Sequence, residues 1–301
     1  MEELKIDRKR LMMNPFRLVP VLLLSLFLLG CDSQDGALLN LGSDDNSDKP
    51  ELVIYSGITM VRPLQQLAYE FEAIHDVDVT IKQGASGYLY RTLKLERKGD
   101  IFFPGSESYR IKHQADGLLK DRVFVGYNRI ALVVPEGNPK RLTDNLNQLY
   151  DPDISVVLSA PDSGAVGKNA KALLDKVGIT DKVYDNVTYF TTDSHRIFNA
   201  IKNRHADLAL NWYATTKWPE TELYVDAILL PKSLAPPKLL ELNLLSFSTE
   251  PELAKEFMAF ASSKHGLETF AKYGFLTPDE LKHAIAALPP AEKNEPHKAR
   301  Q

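Results

Sequence analysis

The chain has 301 residues, 44% of them apolar, a formal charge of −4 and a single cysteine. That length can bury a large core and accommodates two domains of ordinary size. The charge balance gives no sign of a nucleic-acid binder, and one cysteine excludes an intrachain disulfide.

The N-terminus stands apart. Lys5, Arg8, Lys9, Arg10 and Arg17 precede an apolar run over residues 18–29 that is too short to span a bilayer comfortably, the pattern of a secretory signal peptide. The run ends Leu28-Leu29-Gly30-Cys31, which resembles a bacterial lipobox whose Cys becomes the lipidated first residue of the mature protein. A thiol kept only at the cleavage point is readily explained as an acylation site. Asp32, directly after it, resembles an inner-membrane retention signal. Without residues 1–30 the chain keeps 31 basic against 37 acidic side chains, a net charge of −6. Residues 32–50 are polar, rich in Gly, Ser and Asp and without periodicity, and read as a flexible tether.

From residue 51 short strand patterns alternate with helical ones. Residues 52–55 form a strand, Ser56-Gly57-Ile58-Thr59 a turn, and residues 61–75 a helix with Leu64, Leu67, Ala68 and Phe71 on one face. Pro63 is tolerated in its first turn, and Thr59 stands where a cap would. Residues 77–82 form a strand that passes through Gly84-Ala85-Ser86-Gly87 into a helix carrying Leu89, Leu93 and Leu95, extending to about residue 97. First-turn N–H groups lack intrahelical partners and the helix dipole is positive there, so this junction can hold an anion, although Ser and Gly are also ordinary cap and turn residues. Residues 100–103 are a third strand, Pro104-Gly105-Ser106 a turn, and residues 109–119 a third helix.

Residues 123–135 then read as one long strand-like run. A strand at 154–159, a loop at 160–166, a helix at 167–177, a strand at 187–191, a turn at Thr192-Asp193-Ser194, a helix at 195–204 and a strand at 208–211 follow. Residues 224–230 and 239–248 are strands again, and residues 251–262, 267–273 and 277–287 are helical. A charged tail over 289–301 is expected to be disordered. Alternating units of this kind imply an α/β fold with mostly parallel sheets and helices on both faces.

In this order and spacing, YSGITMVRPLQQLAYEFE, GASGYLYRTLK, GDIFFPGSESY, GYNRIALVVPEGNPKRL, SAPDSGAVGKNAKALLDKVGI, HADLALNWYATT and ELAKEFMAFASSKHGLETFAKYGF resemble type II periplasmic substrate-binding proteins, and within them the molybdate/tungstate-binding group of ABC importers. The resemblance covers roughly residues 51–280. It implies a two-lobed fold with two hinge crossovers, near Tyr127–Asn128 and near residues 224–230, and a ligand held in the cleft between the lobes. Lobe 1 would comprise residues 51–127 and 230–288, and lobe 2 residues 128–229. Carried over position by position, the ligand contacts implied are the hydroxyls of Thr59 and Ser86, the backbone at Val166 before Gly167, a helix start near Ser194, and Trp212 where the family has a Tyr. An indole nitrogen donates a hydrogen bond but cannot accept one.

The function this implies is a lipid-anchored solute-binding protein on the periplasmic face of the membrane, a monomer that delivers a small oxyanion to an ABC permease. A micromolar ligand needs about 8 kcal/mol. Charge-assisted hydrogen bonds contribute roughly 1.5–3 kcal/mol each, so neutral donors suffice and a net charge of −6 is no objection. Arg62 and Arg196 occupy first turns, from which either could reach the ligand, but surface solvation is the favoured reading; His195 reads as a solvated or capping residue. The chain contains no GxSxG, HExxH, P-loop or CxxC pattern, and its seven histidines lack metal-ligand spacing, so neither an enzyme, a cofactor nor a metal centre is expected. Three other readings share the fold: ferric-ion binding through Tyr88, Tyr90 and Tyr213, binding of a small organic anion, and a sensing module that feeds a signalling receptor.

Overall fold

A computed structural model of the chain describes residues 49–289. The signal peptide with Cys31, the Asp32 signal, the tether up to residue 48 and the tail from residue 290 lie outside the described residues.

The chain first lays down β1 (Glu51–Gly57), α1 (Val61–Glu72), β2 (Asp78–Gly84), α2 (Ser86–Glu96), β3 (Ile101–Phe103), α3 (Ser108–Lys112) and β4 (Leu119–Asn128). It continues with β5 (Ile130–Pro135), β6 (Val156–Ser159), α4 (Ala165–Val177), α5 (Thr180–Asn186), β7 (Val187–Thr191), α6 (Ser194–Lys202), β8 (Leu208–Trp212) and β9 (Val225–Leu229). It closes with β10 (Lys238–Leu245), α7 (Pro251–Ser262), α8 (Lys264–Lys272) and α9 (Pro278–Ala287).

These strands form two five-stranded sheets, ordered β2-β1-β3-β10-β4 and β7-β6-β8-β5-β9. In the first sheet β10 pairs antiparallel with both neighbours, and in the second β5 does, while the other four strands of each run together. Each sheet is therefore mostly parallel, and its single reversed strand is the one that has just arrived from the other sheet. The two halves share one winding pattern.

The passage out of the first sheet occupies Arg129 alone, between β4 and β5, so the expected single run over 123–135 is two strands in different sheets. The return spans residues 230–237, later than residues 224–230, because Val225–Leu229 pairs with β5 inside the second sheet. Both passages lie side by side: Lys238 is the partner of Asn128, and Leu229 of Ala131.

Packing explains the remaining differences. In β1 Leu52 and Ile54 face a core with Leu64, Leu67 and Phe71 of α1 and Phe257 of α7. Tyr55 faces the opposite core with Leu89 and Leu93 of α2. Two covered faces require the nearly continuous apolar run that β1 has. Leu95 is 83% exposed, since two residues along a helix from Leu93 is the far side. The third helix is shorter than expected: Gly117 at φ +66 ends the turn that follows α3, and Leu119 already belongs to β4. Helix α5, which buries Val183 alone, carries too little apolar pattern to be anticipated.

Candidate functional site

In both sheets several parallel strands end against the same gap, and there the turns after β1, β2, β6 and β7 lead into helices. The 3₁₀ turn Ile58–Met60 follows β1, α2 follows β2, α4 follows β6 and α6 follows β7. A shared hollow is lined by Gly57, Thr59 and Met60, by Gly84 to Ser86, by Gly105, by Gly164 to Val166, by Thr192 to Ser194, and by Trp212. Of the residues singled out in the sequence, Thr59, Ser86, Val166, Ser194 and Trp212 meet there. Gly167 does not. A Cβ at that position would lie 2.2 Å from the Ala160 carbonyl oxygen, so the missing side chain lets α4 pack on the loop after β6.

The local chemistry differs from simple capping. Thr59 caps nothing; its Oγ1 lies 2.8 Å from Ser194 Oγ of the other lobe. Helix α6 is capped instead by Asp193, whose carboxylate accepts from the Arg196 N–H at 3.0 Å. Ser86 is the first residue of α2, and its hydroxyl accepts from the Gly105 N–H at 3.1 Å. A hydroxyl engaged as acceptor keeps its proton to donate elsewhere. The same holds for whichever of Thr59 and Ser194 is the acceptor in their pair. Trp212 is buried, and its Nε1 donates to no group among the described residues. The first-turn N–H groups at Ser86, Ala165, Val166 and Ser194 have no partner within their helices.

The lining therefore offers mainly donors. Among the described residues no Lys or Arg lines the hollow, and the one carboxylate, Asp193, is occupied by its cap bond, by the Thr192 hydroxyl and by the Arg196 guanidinium. The hollow measures ≈ 20 Å³, where one water needs roughly 10–15 Å³. By that measure the hollow is small, with room for one or two water-sized groups. Tyr88, Tyr90 and Tyr213 do not line it, and among the described residues no group of three His, Cys, Asp or Glu side chains is placed to hold a metal ion. Burial and a hydrogen bond to Asp116 push the Tyr90 phenol well above its usual range, away from the ionised form that a metal ligand needs.

The two lobes touch around this hollow. Lys168 of α4 donates to Ser108 of α3 at 3.2 Å, and Trp218 Nε1 donates to the Thr59 carbonyl at 3.3 Å. Arg62 pairs with Glu220 and lies 5.4 Å from the centre of the Trp218 ring. The glycines mark close approaches: a Cβ on Gly87 would sit 2.6 Å from the Ser163 carbonyl oxygen, and one on Gly164 3.0 Å from Ala85 Cβ. The sequence reading missed Gly105 and Gly164 as parts of this site. Their signal was positional, since ligands of open α/β sheets gather at the carboxyl ends of the parallel strands and Gly105 follows such an end.

Comparison with known proteins agrees with this geometry. The chain is 26% identical over 257 residues to YvgL of Bacillus subtilis, named as an ABC transporter substrate-binding lipoprotein, covering 84% of this chain and 95% of that one. The periplasmic molybdate-binding protein of Azotobacter vinelandii superposes with a TM-score of 0.66 at 16% identity, over 75% of this chain and 99% of that one. The sulfate-binding protein SubI of Mycobacterium tuberculosis superposes with a TM-score of 0.69 at 16% identity, over 80% and 92%. Likeness at such identity speaks for the two-lobed fold alone. The sequence pattern of one family, described as bacterial extracellular solute-binding protein, matches residues 52–276, and the chain belongs to that family.

Proposed function

We propose that this protein is the lipid-anchored solute-binding component of an ABC importer and that it captures a small tetrahedral oxyanion of the molybdate and tungstate kind between its lobes. The observation that carries the reading is the convergence of helix starts from both lobes on one small hollow, with hydroxyl, indole and amide donors and no cation. Such donors replace the hydration of an anion without a buried countercharge, and the helix dipoles favour the same sign. Thr59, Ser86, Val166, Ser194 and Trp212 are the contacts we assign. The hollow's size favours a few-atom anion over a larger organic one.

In this reading residues 51–128 and 238–288 move as one lobe and residues 130–229 as the other, about the paired passages at Arg129 and 230–237. Closure around the anion presents a shape to the permease. Acylation at Cys31 holds the protein at the membrane, with Asp32 favouring the inner membrane of the cell envelope.

Both sheets and both cores lie within residues 49–289, so the chain from residue 32 onward is the folded unit to test. Isothermal titration of that chain with molybdate, tungstate, sulfate, thiosulfate and phosphate separates the candidates. One tight anion supports the assignment, and absence of heat and of thermal stabilisation with all five rejects it.

A further inference from the structure

A second cavity, of ≈ 400 Å³, opens beside the two interlobe passages and shares no lining residue with the cleft hollow. Its size lies in the range of small-molecule sites, roughly 300–1,000 Å³. One wall is Arg129 of the first passage with Ile130 at the start of β5. The end of β9 contributes Leu229, the second passage Leu230 and Lys232, the turn between α8 and α9 Gly274 and Leu276, and the start of α9 Pro278.

Its chemistry is distinct from that of the cleft. Among the described residues four cationic side chains line it, Arg129, Lys217, Lys232 and Lys272, and no acidic residue does. Glu280 answers two of them, pairing with Arg129 and lying 3.4 Å from Lys232. Lys217 and Lys272 have no carboxylate partner among the described residues; their ammonium groups lie over the rings of Tyr213 and Tyr273. The Arg129 side chain is only 10% exposed, and its Nε is buried without an acceptor. Between these charges the wall is apolar, with Ile130, Leu230, Leu276 and Pro237, and Leu229 left 53% exposed at the edge. A cavity with an apolar floor, surplus positive charge and an unmet guanidinium donor is built for a molecule with an apolar body and an anionic end.

We propose that this cavity is a second ligand site, for a small organic carboxylate with an apolar body. The carboxylate sits toward Lys217 and Lys272, and the apolar part lies along Leu229, Leu230 and Leu276. The site stands independently of what the cleft binds.

The test titrates the chain from residue 32 with octanoate, octylamine and acetate, and repeats octanoate with the Lys217→Gln/Lys272→Gln and Lys217→Arg/Lys272→Arg variants. Expected are saturable one-to-one binding of octanoate, no binding of octylamine, and at least roughly tenfold weaker binding of acetate, a loss of about 1.4 kcal/mol. The Gln variant loses about tenfold in octanoate affinity, while the Arg variant keeps it. Failure of octanoate to saturate, equal binding of octylamine or acetate, or an unchanged Gln variant overturns the proposal. Should the Gln variant melt early, the octylamine and acetate arms and the Arg variant decide alone.

Discussion

Gly87 offers a direct way to separate ligand capture from folding. It is the second residue of α2 in one lobe, and the atom nearest to a Cβ added there is the Ser163 carbonyl oxygen of the other lobe, at 2.6 Å. Ordinary contact begins at 3.4 Å, so Gly87→Ala must part the two loops by close to the difference, about 0.8 Å. A donor at 2.9 Å from a shared anion would then stand near 3.7 Å, beyond hydrogen-bond range. Losing one or two charge-assisted bonds costs about 2–4 kcal/mol, roughly 30- to 1,000-fold in affinity. Folding should not suffer, since the contact crosses between lobes and Ala is favoured over Gly in a helix by up to ~1 kcal/mol. Calorimetric titration with the anion selected from the five-member panel, together with a melting curve, reads both effects. Wild-type affinity in the variant, or a lowered Tm accompanying weak binding, refutes the view that this glycine exists to let the lobes close.

Other expectations rest on single contacts. Ser86→Ala removes a donor and leaves the buried Gly105 N–H without its acceptor, so anion binding should weaken by about 1–3 kcal/mol and the melting temperature should fall by a few degrees; titration and melting together check this. Arg62→Ala removes the partly exposed pair with Glu220 across the cleft mouth and should lower affinity by at most about fivefold, as surface pairs contribute about 0–1 kcal/mol. A larger loss in titration would mean that Arg62 reaches the ligand. Burial raises the Glu280 carboxyl, but the Thr277 N–H and the Arg129 guanidinium outweigh it and hold the group at about 2, against 4.5 for the free carboxyl. The folded value is the lower one, so the stabilisation is present above pH 4.5 and is lost as pH falls from 4.5 towards 2. Glu280→Gln should cost about 3 kcal/mol at pH 7, because the pair is mostly buried and its loss leaves the Arg129 guanidinium without a countercharge. It should also flatten the acid limb of a denaturation-against-pH series; an unchanged limb argues against the assignment.

Much of the fold was legible because it is written in local periodicity. The apolar face of α1 and the strand-turn-helix junction at Gly84 to Ser86 each follow from residues within about fifteen positions of one another. The spans of α7 and β7 are likewise visible in short stretches. The break at Arg129 was not, since nothing local distinguishes one ten-residue strand followed by a six-residue one from a continuous run; only the choice of partner strands separates them. The site was half legible for the same reason. Small-residue turns with a hydroxyl are recognisable one at a time, whereas Gly167 reads the same whether its freedom serves a ligand or a helix packed on Ala160.

By itself the amino-acid order determined that strands and helices alternate, that the N-terminal segment differs in kind from the rest, and that several helices begin with groups able to hold negative charge. Tertiary structure decided which of those beginnings face one another. The Thr59 hydroxyl meets Ser194, 135 positions away, and the Gly105 N–H meets Ser86 across 19. The physical reason is that hydrogen-bond capacity belongs to a residue, but its direction belongs to the sheet that carries it. A site made of neutral dipoles exists only once two separately wound sheets bring them within one small hollow.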